Sequence, residues 1–154
     1  MDTSIELIYK GVVCSKKNSK QIIRTKNGVP RIISNATARA NEEEMQRAFE
    51  AQVVKLASER KELEFLAKRN ANKVAMLSEA TAHNESYILD IEIYAPNGIR
   101  RDLDNQATSI FDALVKAGVL ADDCFKFVKA FSVKFGGIDK FNPRAVIKIR
   151  IHRD

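Results

Sequence analysis

The sequence predicts an α/β chain of the α+β kind, with one mixed β-sheet and a long and a shorter helix packed on it. Three observations carry this. YILDIEIY (Tyr87–Tyr94) alternates apolar and polar residues in the period of a half-buried strand. Met45, Phe49, Val53 and Leu56 recur at helical spacing. The order is strand and hairpin, helix, strand, helix, two strands, which suits a single layer of sheet covered by helices. At 154 residues, 45% hydrophobic and 30% charged, the chain has the length and composition of one globular domain spanning 1–154.

Taken in order, Ser4–Val13 reads as a first strand, with Ile5, Leu7, Ile8 and Tyr9 as its apolar members. A basic loop, CSKKNSK, follows. QIIRTKNGVPRIIS reads as a hairpin around Asn27-Gly28, with Pro30 suited to an edge position. Asn41 is the expected N-cap of the long helix, with Glu44 reaching back from three residues on. The helical pattern continues less cleanly through Leu63 and Leu66, so that 57–86 reads as an amphipathic cover or, alternatively, an arm for dimer contacts. In Tyr87–Tyr94, Leu89, Ile91 and Ile93 face one way and Asp90 and Glu92 the other. Pro96-Asn97-Gly98 breaks that strand. A second helix is expected from about Asn105 to Ala117, with Ala107, Ile110, Phe111 and Leu114 on one face and Gly118 as a left-handed C-terminal stop. Phe125–Phe135 and Ala145–His152 read as closing strands, separated by Gly136-Gly137 and Asn142-Pro143.

The formal net charge is +6, and the positive charge is clustered. Lys10, Lys16, Lys17, Lys20, Arg24, Lys26 and Arg31 run without an intervening acid. A second run extends from Lys126 to Arg153 against only Asp139 and Asp154. Such clusters suit a polyanion, because phosphate binding releases condensed counterions. They are equally what solvated strand faces and loops look like. No apolar run approaches the ~20 residues that span a membrane, and no secretory leader is visible at the N-terminus. Cys14 and Cys124 are far apart and fit two free thiols in a reducing cytoplasm. With only two histidines, His83 and His152, and two scattered cysteines, a structural zinc site is not expected.

The chemistry-bearing stretch is Arg100-Arg101-Asp102-Leu103-Asp104-Asn105. In extended chain Asp102 and Asp104 would project together and Leu103 the other way. Two carboxylates aimed at one spot repel, and a hard cation such as Mg2+ relieves the repulsion. Asp122-Asp123, past the second helix, would bring a third carboxylate to the pair. The same residues also suit simpler roles: Asp104 or Asn105 as an N-cap, Asp102 in an Asx-turn, Asp122-Asp123 in a turn before a strand.

Together with Asp112-Ala113-Leu114, Lys116-Ala117-Gly118-Val119 and Asp122-Asp123, the string DLDN resembles the signature of the RusA-type Holliday-junction resolvases. The resemblance implies a homodimeric, magnesium-dependent endonuclease of DNA recombination and repair that nicks opposed strands of branched DNA. It implies Asp102, Asp104 and Asp123 as metal-binding carboxylates, with Asp122 the lesser member of its pair. The basic residues around these motifs offer Lys16, Lys17, Lys20, Arg24, Arg100 and Arg101 as DNA-binding residues. One departure matters. The family carries a lysine one helical turn after the second aspartate of DLDN, where this chain has Thr108. Lys126, just past Asp123, is the candidate for the missing cation. The departure leaves a catalytically weak or silent DNA-binding protein of the same fold as the alternative, and a purely structural basic protein as a third.

Overall fold

The computed structural model describes residues 4–15, 20–34, 36–59 and 86–152. Its elements are β1 (Ser4–Lys10), β2 (Lys20–Arg24), β3 (Pro30–Ser34), α1 (Ala36–Glu59), β4 (Ser86–Ala95), α2 (Leu103–Lys116), β5 (Val128–Ile138) and β6 (Arg144–His152). Four strands form one mixed sheet in the order β1-β6-β4-β5, while β2 and β3 pair only with each other. This is the α+β architecture expected. The β2–β3 hairpin closes through a five-residue loop, Thr25–Val29, rather than a two-residue turn on Asn27-Gly28.

Strand alternation builds the core in three rows across the sheet. Ile5, Ile149, Leu89 and Phe131 lie side by side, then Leu7, Ile147, Ile91 and Val133, then Tyr9, Ala145, Ile93 and Phe135. The first three members of each row are buried. Helix α1 adds Met45, Phe49 and Val53 to this face, and α2 adds Ala107, Ile110, Phe111, Ala113 and Leu114. Each fully buried side chain of this size stabilises the fold by ~1.5–3 kcal/mol. The other face of the sheet carries Glu6, Lys148, Asp90 and Ser132 in one row and Glu92 beside Lys134 in the next. Among the described residues no helix is long and apolar enough to cross a membrane.

Three local expectations are corrected. Helix α1 begins at Ala36, so Asn41 lies in its second turn and does not cap it. Its buried amide instead donates to the Tyr9 hydroxyl and the Val12 carbonyl and accepts from the Cys14 N–H. A short amide that clamps three groups of another segment is worth more inside the helix than at its end. Gly136-Gly137 does not end β5 but sits within it. Ile93 pairs with Phe135 and Tyr94 with Gly137, which leaves Gly136 as the extra residue of a bulge. A Cβ at Gly136 would come within 2.7 Å of the Tyr94 ring and 2.8 Å of Glu92 Oε1. Helix α2 begins at Leu103, two residues before the expected start. The continuation of the first helix beyond Glu59 lies outside the described residues, as do Lys16 and Lys17.

Strands β4 and β5 are parallel, so the chain must cross over between them, and α2 is the crossover. Strand β5 then joins β6 across the end of β4, because β4 lies between them in the sheet. Ala95 pairs with Ile138, and Lys10 with Arg144. The carboxyl ends of β1, β4 and β5 therefore lie at one edge of the sheet. The loops that leave them are 11–15, 96–102 and 139–143.

Candidate functional site

At that edge the chain leaves β4 through Pro96–Arg101 and enters α2 at Asp102. Asp102 holds the N-cap position in extended conformation (φ −84°, ψ 120°), yet its side chain makes no capping hydrogen bond. The carboxylate is instead approached by Asn105, whose Nδ2 donates to Asp102 Oδ2 at 3.3 Å. Asn105 is itself buried, so it fixes one oxygen of an otherwise exposed carboxylate. Asp104 is exposed in the first turn of α2, where the helix dipole favours an anion. Asp102 and Asp104 thus share the start of the helix rather than one side of an extended strand. Leu103 between them packs partly against the core as the first residue of the helix, not through strand alternation.

Two exposed carboxylates at a helix start offer hard oxygen ligands to Mg2+, which is commonly held by one or two carboxylates together with substrate phosphate and water. Their donor chemistry suits that ion. Among the described residues no group of three His, Cys, Asp or Glu side chains is close enough to hold a metal. Asp123 lies beside Asp122 and near Asp112. Its carboxyl is pushed above the usual range by burial, next by Asp122, and to a lesser degree by Asp112. Asp112 is eight residues past Asp104 on the same helix, ~12 Å further along its axis. The Asp122 carboxylate accepts the Asp123 N–H at 2.8 Å, an ordinary turn role.

Lys126 is exposed in the turn that leads into β5. The next residue, Phe127, accepts the Tyr87 N–H at 2.7 Å, which places this turn by the start of β4, the far edge of the sheet from Asp102. Thr108 turns its hydroxyl back onto the helix and donates to the Asp104 carbonyl at 3.0 Å. It supplies no positive charge to the acidic pair.

Of the basic residues, Arg100 is exposed beside Asp102. Arg101 folds back on its own loop, donating to Asn97 Oδ1 and to the Ile99 carbonyl, each at 3.1 Å. It also draws down the Cys14 thiol, against a larger upward push from burial. Arg100, Arg101, Ile99, Leu103, Gln106 and Phe135 help line a cleft of about 280 Å³ next to the acids. Gln106 ties the 11–15 loop to α2 by donating to the Val13 carbonyl at 3.0 Å. Arg24 is exposed near the end of the separate hairpin. Lys20 is described as the first backbone position of β2.

The C-terminal basic run is partly spent within the chain. Lys134 pairs with Glu92 at 3.3 Å, Arg144 with Asp139 at 2.9 Å and Arg150 with Asp90 at 3.1 Å. Lys116 makes an ion pair with the buried Glu42 of α1. What sequence reasoning did not single out is the β5–β6 connection over the end of β4, with Lys140 and Phe141 at its tip. The one available signal was a phenylalanine inside a turn composition, Asp139-Lys140-Phe141-Asn142-Pro143.

A family model described as endodeoxyribonuclease RusA matches residues 16–150. No curated protein matches the chain significantly.

Proposed function

The chain belongs to the RusA family of endodeoxyribonucleases, and we propose that it resolves Holliday junctions and related branched DNA as a magnesium-dependent homodimer. Residues 1–154 form one endonuclease domain in this reading, at work in the cytoplasm. The observation that carries it is the pair Asp102 and Asp104 at the start of α2, free of capping duty and flanked by Arg100. Asn105 orients the Asp102 carboxylate. Arg100, Lys10 and Lys140 draw the phosphate backbone to this edge of the sheet, and the start of α2 favours the anion that arrives there. Held by Asp102 and Asp104, Mg2+ would polarise the scissile phosphate and lower the pKa of an attacking water. Hydrolysis then leaves a phosphate on one side of the nick and a hydroxyl on the other.

Two considerations support the homodimer. A four-way junction presents two equivalent strands, and a two-fold axis matches that symmetry. The second is internal. Asp123 and Lys126 are placed away from Asp102 and Asp104 of the same chain. A two-fold axis perpendicular to α2 and passing beside it would set two copies of that helix antiparallel. Asp123 and Lys126 of one copy then complete the site begun by Asp102 and Asp104 of the other, giving two sites per dimer and paired nicking.

Incubating the protein with a synthetic four-way junction tests the reading. Paired nicks are expected with Mg2+ and none with EDTA. Thr108 favours one alternative, a structured-DNA-binding protein with weak or silent cleavage, because no cation stands one turn after Asp104. Tight junction binding without nicks in Mg2+ would select that alternative.

A further inference from the structure

Phe141 is 91% exposed, more than any other large apolar side chain among the described residues. A single exposed phenyl is unremarkable in itself. What sets this one apart is its mounting. The connection that carries it spans the end of β4 and is pinned along its length. The Asp139 N–H donates to the Ala95 carbonyl at 2.7 Å, at the point where β4 ends. The Asp139 carboxylate accepts from Arg144 Nη1 at 2.9 Å and from the Asn142 N–H at 3.2 Å. The Gly11 N–H donates to the Pro143 carbonyl at 2.9 Å. The Arg144 guanidinium lies over the Tyr94 ring, 3.7 Å from its centroid. The backbone on both sides of Phe141 is therefore pinned rather than part of a loose loop.

Its setting is cationic. The Lys140 ammonium is 5.6 Å from the centre of the Phe141 ring. Lys10 and Arg100 are exposed on the neighbouring loops and strand end at the same edge of the sheet. An aromatic face among cations is the arrangement that binds unpaired nucleotides: bases stack on the ring while the cations follow the phosphates. Bases inside a continuous duplex are stacked on both sides and offer no free face. Those at a branch point do.

We propose that Phe141, with Lys140 beside it, is a stacking post for a base left unstacked at a branch point and sets the preference for branched over continuous duplex. The inference rests on the branched-DNA reading above for its natural ligand, but the stacking itself is testable without it. The chain has no tryptophan, so Phe141→Trp introduces a single indole reporter. Its fluorescence should be quenched by a four-way junction and by a single-stranded oligonucleotide, and unchanged by a relaxed closed-circular duplex, which has no ends. In EDTA, Phe141→Ala should weaken junction binding about fivefold, the low end of what one base–aromatic stack supplies. It should change duplex binding less than twofold and leave the melting temperature unaltered. Phe141→Trp should bind the junction as tightly as the wild type. Equal loss on both DNAs, no loss on either, or an indole blind to single strands would overturn the proposal. A wild type that binds junction and duplex alike, with the indole still quenched by single strands, would instead overturn the branched-DNA reading and leave the stacking post standing.

Discussion

Asp102 stands where a helix cap belongs and makes no capping bond, while Asn105 holds one of its oxygens. Its carboxylate is thus not taken up in capping, which leaves it available for the chemistry proposed above. Thr108 is the counterpart, a position whose side chain is satisfied locally and offers nothing to the acids. Replacing it with lysine restores a cation one turn after Asp104, on the same helix face. Thr108→Lys should raise cleavage of a four-way junction roughly tenfold, equivalent to ~1.4 kcal/mol of transition-state stabilisation. Lys126→Ala should lower cleavage more than it lowers binding. If Thr108→Lys folds and leaves the rate unchanged, and Lys126→Ala keeps full activity, this account of the missing cation fails. Tyr9 supports a different prediction. Burial, then the Glu44 carboxylate, pushes its phenol from 10.0 to about 12, and the bond from Asn41 opposes this only in part. The folded state thus binds the phenolic proton more tightly than the unfolded chain. That contribution to stability is intact below pH 10 and is lost as pH rises from 10 to about 12. Urea midpoints of the wild type should fall over that window, while those of Tyr9→Phe, lower at neutral pH, should fall less. Parallel curves for the two proteins would rule out Tyr9 as the source.

At the scale of elements, each strand and helix expected within the described residues is present, and the differences lie at boundaries. The alternation of Tyr87–Tyr94 and the spacing of Met45, Phe49 and Val53 report burial directly, so they were legible. Boundaries depend on partners far away in sequence. Asn41 looked like a cap because local rules rank it as one, but Tyr9, Val12 and Cys14 claim its amide. Gly136-Gly137 looked like a turn because glycine usually breaks strands. The ring of Tyr94 and the carboxylate of Glu92, on β4, are what require the first of them. Gly137 has φ 138° and suits the backbone beside the bulge. Gly136→Ala should therefore destabilise the fold by ~1 kcal/mol, the low end of overpacking, since the half-buried Tyr94 and Glu92 side chains must shift to admit the methyl group. Thermal unfolding would check this, and a melting temperature equal to that of the wild type would show that Tyr94 moves aside freely.

For the whole molecule, the question is how the acids of one active site are shared. If Asp123 of one copy serves Asp102 and Asp104 of the other, two inactive proteins can rescue each other. Asp104→Asn and Asp123→Asn should each abolish nicking while still binding a junction. After subunit exchange, a mixed dimer carries one site with both changes and one with neither. Mixing the two variants should thus restore single nicks to a measurable fraction of wild-type rate. Sites built within single chains would predict no activity from the mixture, since each subunit would remain defective.

By itself the sequence determined the sheet-and-helix class, the buried residues of β4, α1 and α2, and the stretch from Asp102 to Asp123 that carries the family resemblance. All of these are encoded over short spans, in periods of two and of three to four residues or in contiguous motifs. Only the tertiary structure decided which ends of the elements share an edge. Because β4 and β5 run parallel, α2 must carry the chain back to the start of β5, which separates Lys126 from Asp102 although both lie in one short segment. Because β4 lies between β5 and β6, their short link must cross its end, which carries Phe141 and Lys140 over the edge where Asp102 begins its helix. Neither consequence is visible from spacing along the chain, since both arise from the order and direction of strands brought together by long-range pairing.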